Sequence, residues 1–424
     1  MAENFFKKKL TGPDLYQKLG CPKKIVAPMV DQSELAWRIL SRKHGADLCY
    51  TPMIHARLFS QSPKYRNEMW TEGLDGNPEF DRPLIVQFCA NDPTHLVDAA
   101  KLLQHQCDAI DLNLGCPQAI AKKGKYGSFL MDDWDIVESL IKALHKNIDV
   151  PITAKIRVYK DYEKTLEYAK LILKSGAQFL TVHTRTRVMK GQLTGLADWT
   201  IIEKLRRDLP PETILFSNGN ILYSEDIDTC LNFTNTNAVM SAEGNLYNPA
   251  VFMNHPSHYD LIDIQYPRVD IILRQYYEIV KSLDGKSYSS LKAIRSHFFK
   301  LLVSFLPHHT DIRQNISTNT SNMKKLSNSQ YLQKWDQIVS DVENAVNSIY
   351  SQQNIDQLDQ ITLLDQKPFG GNYKQIPYWR CQPYFRTVNS LASNKRILNT
   401  VQDTPIEKTD NSCQIQNITT QIAA

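Results

Sequence analysis

The sequence predicts an α/β protein: a (β/α)8 TIM barrel with a C-terminal small helical bundle domain and a largely disordered tail. Three observations carry this. Between residues 20 and 250, short apolar runs rich in β-branched residues alternate with helical stretches roughly every 25 to 35 residues. Eight such runs fit before residue 250. From about residue 260 the strands stop, and amphipathic helical runs follow one another directly. Strands apolar on both faces and joined by helical crossovers imply a parallel sheet covered by helices. Eight units close into a barrel; a doubly wound open sheet is the alternative. No GxGxxG follows the first strand, which removes the main support for a Rossmann dinucleotide fold.

Taken in order, residues 1–19 are an N-terminal extension and 20–255 the barrel domain. The strands are KKIVAPM, DLCYTP, PLIVQFCA, AIDLNLGC, PITAKIRV, QFLTVHTRT, TILFSNGN and NAVMSAEGN. Between them lie ELAWRILSRKHG, PTHLVDAAKLLQHQ, IVESLIKALHKN, EKTLEYAKLILKSG and DWTIIEKLRRDL, all with helical periodicity. Asp92-Pro93 and Ser224-Glu225 read as helix starts, and Gly45 and Gly176 as helix ends. Residues 260–350 form the helical domain, from VDIILRQYYEIVKSL, YSSLKAIRSHFFKLLVSFLP and SQYLQKWDQIVSDVENAVNSIY. The middle run carries Lys292, Arg295, His297 and Lys300, and a polar loop with Arg313, Lys324 and Lys325 follows. Residues 351–424 are a polar tail rich in Gln, Asn, Ser and Thr, expected to lack order outside the aromatic-basic motif IPYWRCQPYFR at 376–386.

The formal charge of +4 permits an anionic partner without demanding one. Eight cysteines are scattered with no CxxC pair, which speaks against a zinc or iron–sulfur site and against a disulfide framework. The N-terminus has no signal-peptide apolar core, and no apolar run is long enough to cross a membrane. A monomeric protein in a reducing intracellular setting, cytoplasmic or nuclear, with no metal and no membrane partner, is expected.

In a barrel the C-terminal strand ends face the active site. Here they read Pro28-Met29-Val30, Thr51-Pro52, Gln87, Asn113 to Cys116, Lys155 with Arg157, His183 with Arg185, Asn218-Gly219-Asn220, and Ser241 to Gly244. One polar strand end is ordinary solvation, but six in register describe one pocket. The small-residue turns after strands seven and eight sit where barrels commonly bind phosphate through backbone N–H groups. Taken singly, each is also an ordinary Asn/Gly turn.

Taken together, APMVD, PLIVQF, DLNLGCP, AKKGKYGSFLM, TAKIR, VHTRTR, FSNGN and VMSAEG resemble, in this order, the tRNA dihydrouridine synthases. The set is most similar to the eukaryotic subgroup acting on uridines 16 and 17 of the D-loop, and the later IPYWRCQPYFR resembles a tail motif of that same subgroup. The resemblance implies an FMN-binding barrel, a helical RNA-binding domain, and reduction of a uracil C5–C6 double bond with NADPH or NADH as reductant and tRNA as partner. It departs at Ala242-Glu243-Gly244, where many bacterial relatives carry Gly-Arg-Gly. A glutamate there leaves only backbone amides to meet a phosphate.

The residues suit that chemistry. Hydride arriving at C6 requires a proton at C5 from the opposite side. A thiol, with an ordinary pKa of about 8.5, is mostly protonated at neutral pH and can supply it. Cys116 between Gly115 and Pro117 is the candidate acid, whereas Cys89 and Cys107 read as small buried hydrophobes. Lys155 is expected at the flavin N1/O2 edge, a Schiff-base lysine being its rival role. Gln87 is expected at the flavin pyrimidine edge. His183 is implied as a flavin or substrate contact, and Pro28, Met29, Val30, Asn218, Gly219, Asn220, Ala242 and Glu243 complete the FMN site. Asn113 and Arg185 are assigned to the substrate base. Phosphate contacts are expected from Lys122, Lys123 and Lys125, on a loop that Gly124 and Gly127 would let close. Further ones come from Lys292, Arg295 and Lys300 on a distant helix. Two other readings compete: an FMN barrel acting on a free pyrimidine, which needs no basic helical domain, and a tRNA-binding barrel without turnover, against which intact Cys116, Lys155 and His183 argue.

Overall fold

Every one of the eight apolar runs becomes a parallel strand. A computed structural model describes residues 9–253, 262–319 and 326–384. The strands are β1 (Lys24–Val26), β2 (Leu48–Tyr50), a two-residue β3 (Ile54–His55), β4 (Leu84–Cys89), β5 (Ala109–Leu114), β6 (Ile152–Val158), β7 (Phe179–Thr186), β8 (Ile214–Asn218) and β9 (Ala238–Ser241). Strand β2 pairs with β4, the ladder runs on to β9, and β9 returns to β1 with Ile25 opposite Met240. That closure makes an eight-stranded barrel, with β3 added beside the end of β4.

Strands β4, β5 and β6 are buried at every position, which is why they read as unbroken apolar runs. Inside those runs a period of two survives. The ladder sets Gln87 opposite Asp111, Asp111 opposite Thr153, and Asn113 opposite Lys155. Paired residues share a face of the sheet, so these polar side chains line one side of it. The helices between strands follow their own period. In Trp134–Asn147, capped by the Asp133 side chain on the Ile136 N–H, Val137, Leu140, Ile141 and Leu144 are buried. Gly45 and Gly176 end their helices at φ of 89° and 118°, where an L side chain would be strained.

Two boundaries differ from the sequence expectation. The N-terminal extension contains the helix Gly12–Lys18, which packs against the strand starts. Leu15 is fully buried, Tyr16 Oη donates to Asn237 O at 3.0 Å, and a Cβ on Gly12 would lie 2.3 Å from Gln178 O. The segment 351–384 is not a structureless tail. It forms a short helix (Ile355–Leu358) and the antiparallel hairpin β10 (Thr362–Gln366) and β11 (Asn372–Gln375), then lies on the barrel. Phe369 stacks on Trp199 with centroids 4.7 Å apart, Lys374 pairs with Glu225 at 2.6 Å, and Arg380 is held by Asp359 and Asp263. Phe369 meets the barrel at Trp199 while Tyr378 stacks on His308 of the bundle, and such long-range contacts leave no periodic pattern, so composition alone hides them. The expectation of disorder for 387–424, and Phe385 and Arg386 of the motif, lie outside the described residues.

The helices Val269–Ser282, Tyr288–Leu301, Thr310–Asn319 and Asn328–Tyr350 form the bundle, and its buried side chains join those of the barrel in one continuous core. The seam is polar at its centre. Buried Glu34 accepts from Tyr276 Oη at 3.1 Å and meets His297 Nε2 at 2.9 Å, while the His297 ring stacks on Trp37 at 4.1 Å. His297, read in the sequence as part of a basic face, therefore belongs to this seam.

Candidate active site

The strand ends open into one cavity of about 770 Å³. Pro28, Met29, Val30, Gln87, Asn113, Cys116, Lys155, His183, Arg185, Asn218, Gly219, Asn220, Ala242 and Glu243 all line it. Its volume lies within the range of about 300–1,000 Å³ usual for cofactor and small-molecule sites.

A chain of hydrogen bonds crosses the floor with a fixed polarity. Thr153 Oγ1 and Gln87 Nε2 donate to the two oxygens of Asp111 at 2.7 and 2.8 Å. A carboxylate only accepts, so it turns the amide nitrogen of Gln87 inward and its oxygen outward. That oxygen accepts from Asn113 Nδ2 at 2.8 Å, which in turn aims Asn113 Oδ1 at the N–H groups of Gly115 (3.2 Å) and Cys116 (2.9 Å). Asn113, expected to read a base edge, thus spends its oxygen on the loop that carries the thiol and one amide hydrogen on Gln87. Burial raises Asp111 to about 6, against the bonds from Thr153 and Gln87.

The three carbonyls of Gly115-Cys116-Pro117 are pinned as well. Arg157 Nε donates to Gly115 O at 2.9 Å, Ser128 N and Oγ to Cys116 O at 3.0 Å each, and Lys190 Nζ to Pro117 O at 2.8 Å. Gly127 has a packing reason to be glycine: at φ of 65° its missing Cβ would stand 2.7 Å from Cys116 O. The expected basic loop is the short helix Ala119–Gly124 ended by Lys125 in the left-handed region. Lys122, Lys123 and Lys125 are exposed there and line no part of the cavity.

Electrostatics separate the titratable groups. Burial pushes the Cys116 thiol up, partly offset by the Gln118 N–H and by Arg157, Lys155 and Lys190, so the thiol keeps its proton at neutral pH. Lys155 Nζ donates to Asn218 Oδ1 at 2.8 Å; burial, helped by Arg157, lowers its ammonium to about 7. His183 is held well below its usual range by burial and by Lys155, Arg185 and Arg157. It is therefore neutral, and since Arg185 Nη1 donates to its Nε2 at 2.9 Å, its proton sits on Nδ1. Arg185 also bonds Gly195 O and Asn220 Oδ1, both at 2.9 Å from Nη2. Glu243 is exposed, and it opens a helix only five residues long (Glu243–Tyr247).

The bundle's basic face is not distant. Lys292 pairs with Asp31 at 3.2 Å, Gln32 bonds Ser296, and Lys300 Nζ donates to Tyr247 Oη at 2.8 Å, so the helix borders the cavity mouth. Lys292 and Arg295 are exposed and Lys300 half-buried. Lys324 and Lys325 lie outside the described residues. Sequence reading assigned no role to Arg157, Lys190, Tyr373 or Tyr384. The TAKIR stretch carries Arg157, but nothing in the sequence places the last two beside a cavity more than 120 residues upstream. Among the described residues no group of three His, Cys, Asp or Glu side chains could hold a metal ion.

Comparison with known proteins adds a family to this geometry. The family model described as dihydrouridine synthase (Dus) matches residues 25–339. The tRNA-dihydrouridine(16/17) synthase of Saccharomyces cerevisiae, an NAD(P)(+) enzyme by name, is 54% identical over 409 residues, 96% of this chain and 94% of that one. Its counterpart in Schizosaccharomyces pombe is 45% identical over 96% of this chain and 98% of its own. A human protein named as tRNA-dihydrouridine(20a/20b) synthase-like is 35% identical over only 55% of this chain and 71% of its own.

Proposed function

The chain belongs to the dihydrouridine synthase family, and we propose that it reduces the C5–C6 double bond of uridine to 5,6-dihydrouridine in tRNA, at positions 16 and 17 of the D-loop, with NADPH or NADH as reductant. The subgroup follows from relatives of that name matching nearly the whole chain, bundle and docked tail included. The observation that carries the reaction is the thiol of Cys116, protonated and pinned at the mouth-facing end of β5, above a cavity lined by Lys155, Gln87 and His183.

FMN fits the donor set. Lys155 Nζ and His183 Nδ1 offer hydrogen bonds to the acceptor edge of a flavin ring, with Gln87 lining the cavity beside them. The turns at Gly219 and Gly244 leave no room for a side chain: a Cβ would stand 2.6 Å from Ala197 Cβ and 2.1 Å from Ile221 O. Those clashes are with the protein's own packing, which fixes the two turns; their backbone N–H groups would meet the phosphate, and exposed Glu243 need not point at it. When bound, FMN would supply the hydride. The chain supplies the rest. Asn113 and Ser128 hold Cys116, whose Sγ carries the proton for C5, and Lys155 balances negative charge at the cavity floor. Because the target base lies within a folded arm, it must be splayed out to reach the thiol.

The test is incubation of the purified protein with NADPH and an unmodified tRNA transcript, followed by mass spectrometry of the nuclease-digested tRNA. Dihydrouridine in the fragment holding positions 16 and 17 is expected. Reduction of free uracil or orotate with none in tRNA would favour the free-pyrimidine reading instead. Tight tRNA binding without any reduced base would leave a binding protein.

A further inference from the structure

We infer that Tyr384, delivered by the docked C-terminal segment, is a substrate-binding residue: a stacking platform for a tRNA base flanking the target uridine. The inference rests on the tRNA reading above and adds a residue beyond the family match, which stops at residue 339. Large apolar side chains are seldom left exposed without a reason where they cluster at a cavity. Here Val30 (55% exposed), Ile120 (68%) and Tyr384 (44%) all line the same mouth.

Tyr384 differs from the two aliphatic residues in being braced. Its ring lies against Tyr247, with centroids 5.4 Å apart and planes 32° from parallel. Lys300 Nζ sits 4.7 Å from the centre of the Tyr247 ring and bonds its hydroxyl. Lys300 belongs to the same helix as exposed Lys292 and Arg295. A half-exposed ring, supported from behind and adjoining a cationic helix, is the arrangement by which single-stranded nucleotides are held: stacking on an aromatic face beside cations that follow the backbone. A uridine splayed into the cavity leaves its neighbour unstacked, and Tyr384 offers a replacement surface. The segment is fixed firmly enough for this. Trp379 O accepts from Val269 N at 3.0 Å, Cys381 N donates to Pro267 O at 2.9 Å, and Cys381 is fully buried.

The test compares Tyr384→Ala, Tyr384→Leu and Tyr384→Phe in the full chain, measuring tRNA affinity at several salt concentrations and KM for tRNA under NADPH. Alanine and leucine should each weaken binding on the order of tenfold without changing the salt slope, because stacking neutralises no phosphate. Phenylalanine, which keeps the ring, should stay within about twofold. Unchanged affinity and KM in Tyr384→Ala would overturn the inference. So would a Phe variant as weak as the Ala one, or a flattened salt slope. Tenfold weaker binding in an enzyme whose wild type makes no dihydrouridine would support the platform and sink the reaction instead.

Discussion

At the floor of the cavity, Gln87, Asp111 and Thr153 are fully buried and bonded end to end, and the Gly115–Pro117 loop has its carbonyls and two of its N–H groups held. On the surface around the mouth, a rim outside the cavity lining, Lys122, Lys123, Lys125, Lys292 and Arg295 are exposed, and the ion pair of Lys292 with Asp31 is half in solvent. The difference divides the labour. Groups whose orientation is fixed before substrate arrives cost little to align during reaction, so the floor is suited to chemistry. Exposed cations keep their hydration and are screened by salt, so the rim is suited to finding and holding a polyanion.

The sharpest break of this comparison is Cys116→Ala. It should cost on the order of a hundred- to ten-thousandfold in dihydrouridine formation, as expected for loss of a positioned acid, while tRNA affinity stays within about twofold. Single-turnover assays beside filter binding measure both. Near-normal product would make Cys116 structural, and lost tRNA binding would show that floor and rim are not separable. Serine should not restore activity, being a weaker acid than the thiol.

How far the two regions were legible follows the same division. The floor was readable because β5 and β6 carry polar residues at period two inside apolar runs and β4 carries Gln87, and strand ends of a barrel converge by topology alone. What stayed hidden in the sequence was the use of those groups. Asn113 has the chemistry to read a base, yet the carboxylate of Asp111 two residues earlier fixes Gln87, and through it turns the Asn113 oxygen to the thiol loop. Polarity of that kind depends on contacts across strands. At the rim, a charge at helical spacing says nothing about which face is covered: His297 sits three residues before Lys300, yet one is sealed against Trp37 and the other borders the mouth. The docked segment was least legible, because its anchors Lys374 and Arg380 pair with Glu225 and Asp263, and Phe369 with Trp199, all more than 100 residues away in sequence.

The next effect in size tests the rim. Alanines at Lys292, Arg295 and Lys300 together should weaken tRNA binding and flatten its salt dependence by up to about three units of slope, one for each phosphate no longer neutralised. Binding measured from low to moderate salt gives the slope. The change should fall short of the full value, because Lys292 already shares its charge with Asp31 and Lys300 with the Tyr247 ring. Flavin reduction by NADPH should not change. An unaltered slope would mean that this face is only solvated and that another surface holds the tRNA.

The smallest effect concerns a floor residue whose charge is not settled by its surroundings. Burial and the neighbouring Arg157 bring Lys155 to about 7, far below its ordinary value of 10.5. Its ammonium is thus full below that pH and fades as pH rises through it. If Lys155 donates to the acceptor edge of a flavin ring, binding favours the charged form. Affinity should then be greatest at pH 6 and fall several-fold by pH 8, at most about tenfold per unit. Riboflavin is the better probe, because the phosphate of FMN gains charge near pH 6 and would oppose the trend. Fluorescence titration of flavin-free protein reads the affinity directly. Lys155→Met should bind more weakly at pH 6 and show a flat profile. A flat profile in the wild type would mean that Lys155 meets no acceptor there, and an equal slope in the Met variant would assign the titration to another group. Either result would blur the line between floor and rim, leaving the floor's lysine as uncommitted as those at the mouth.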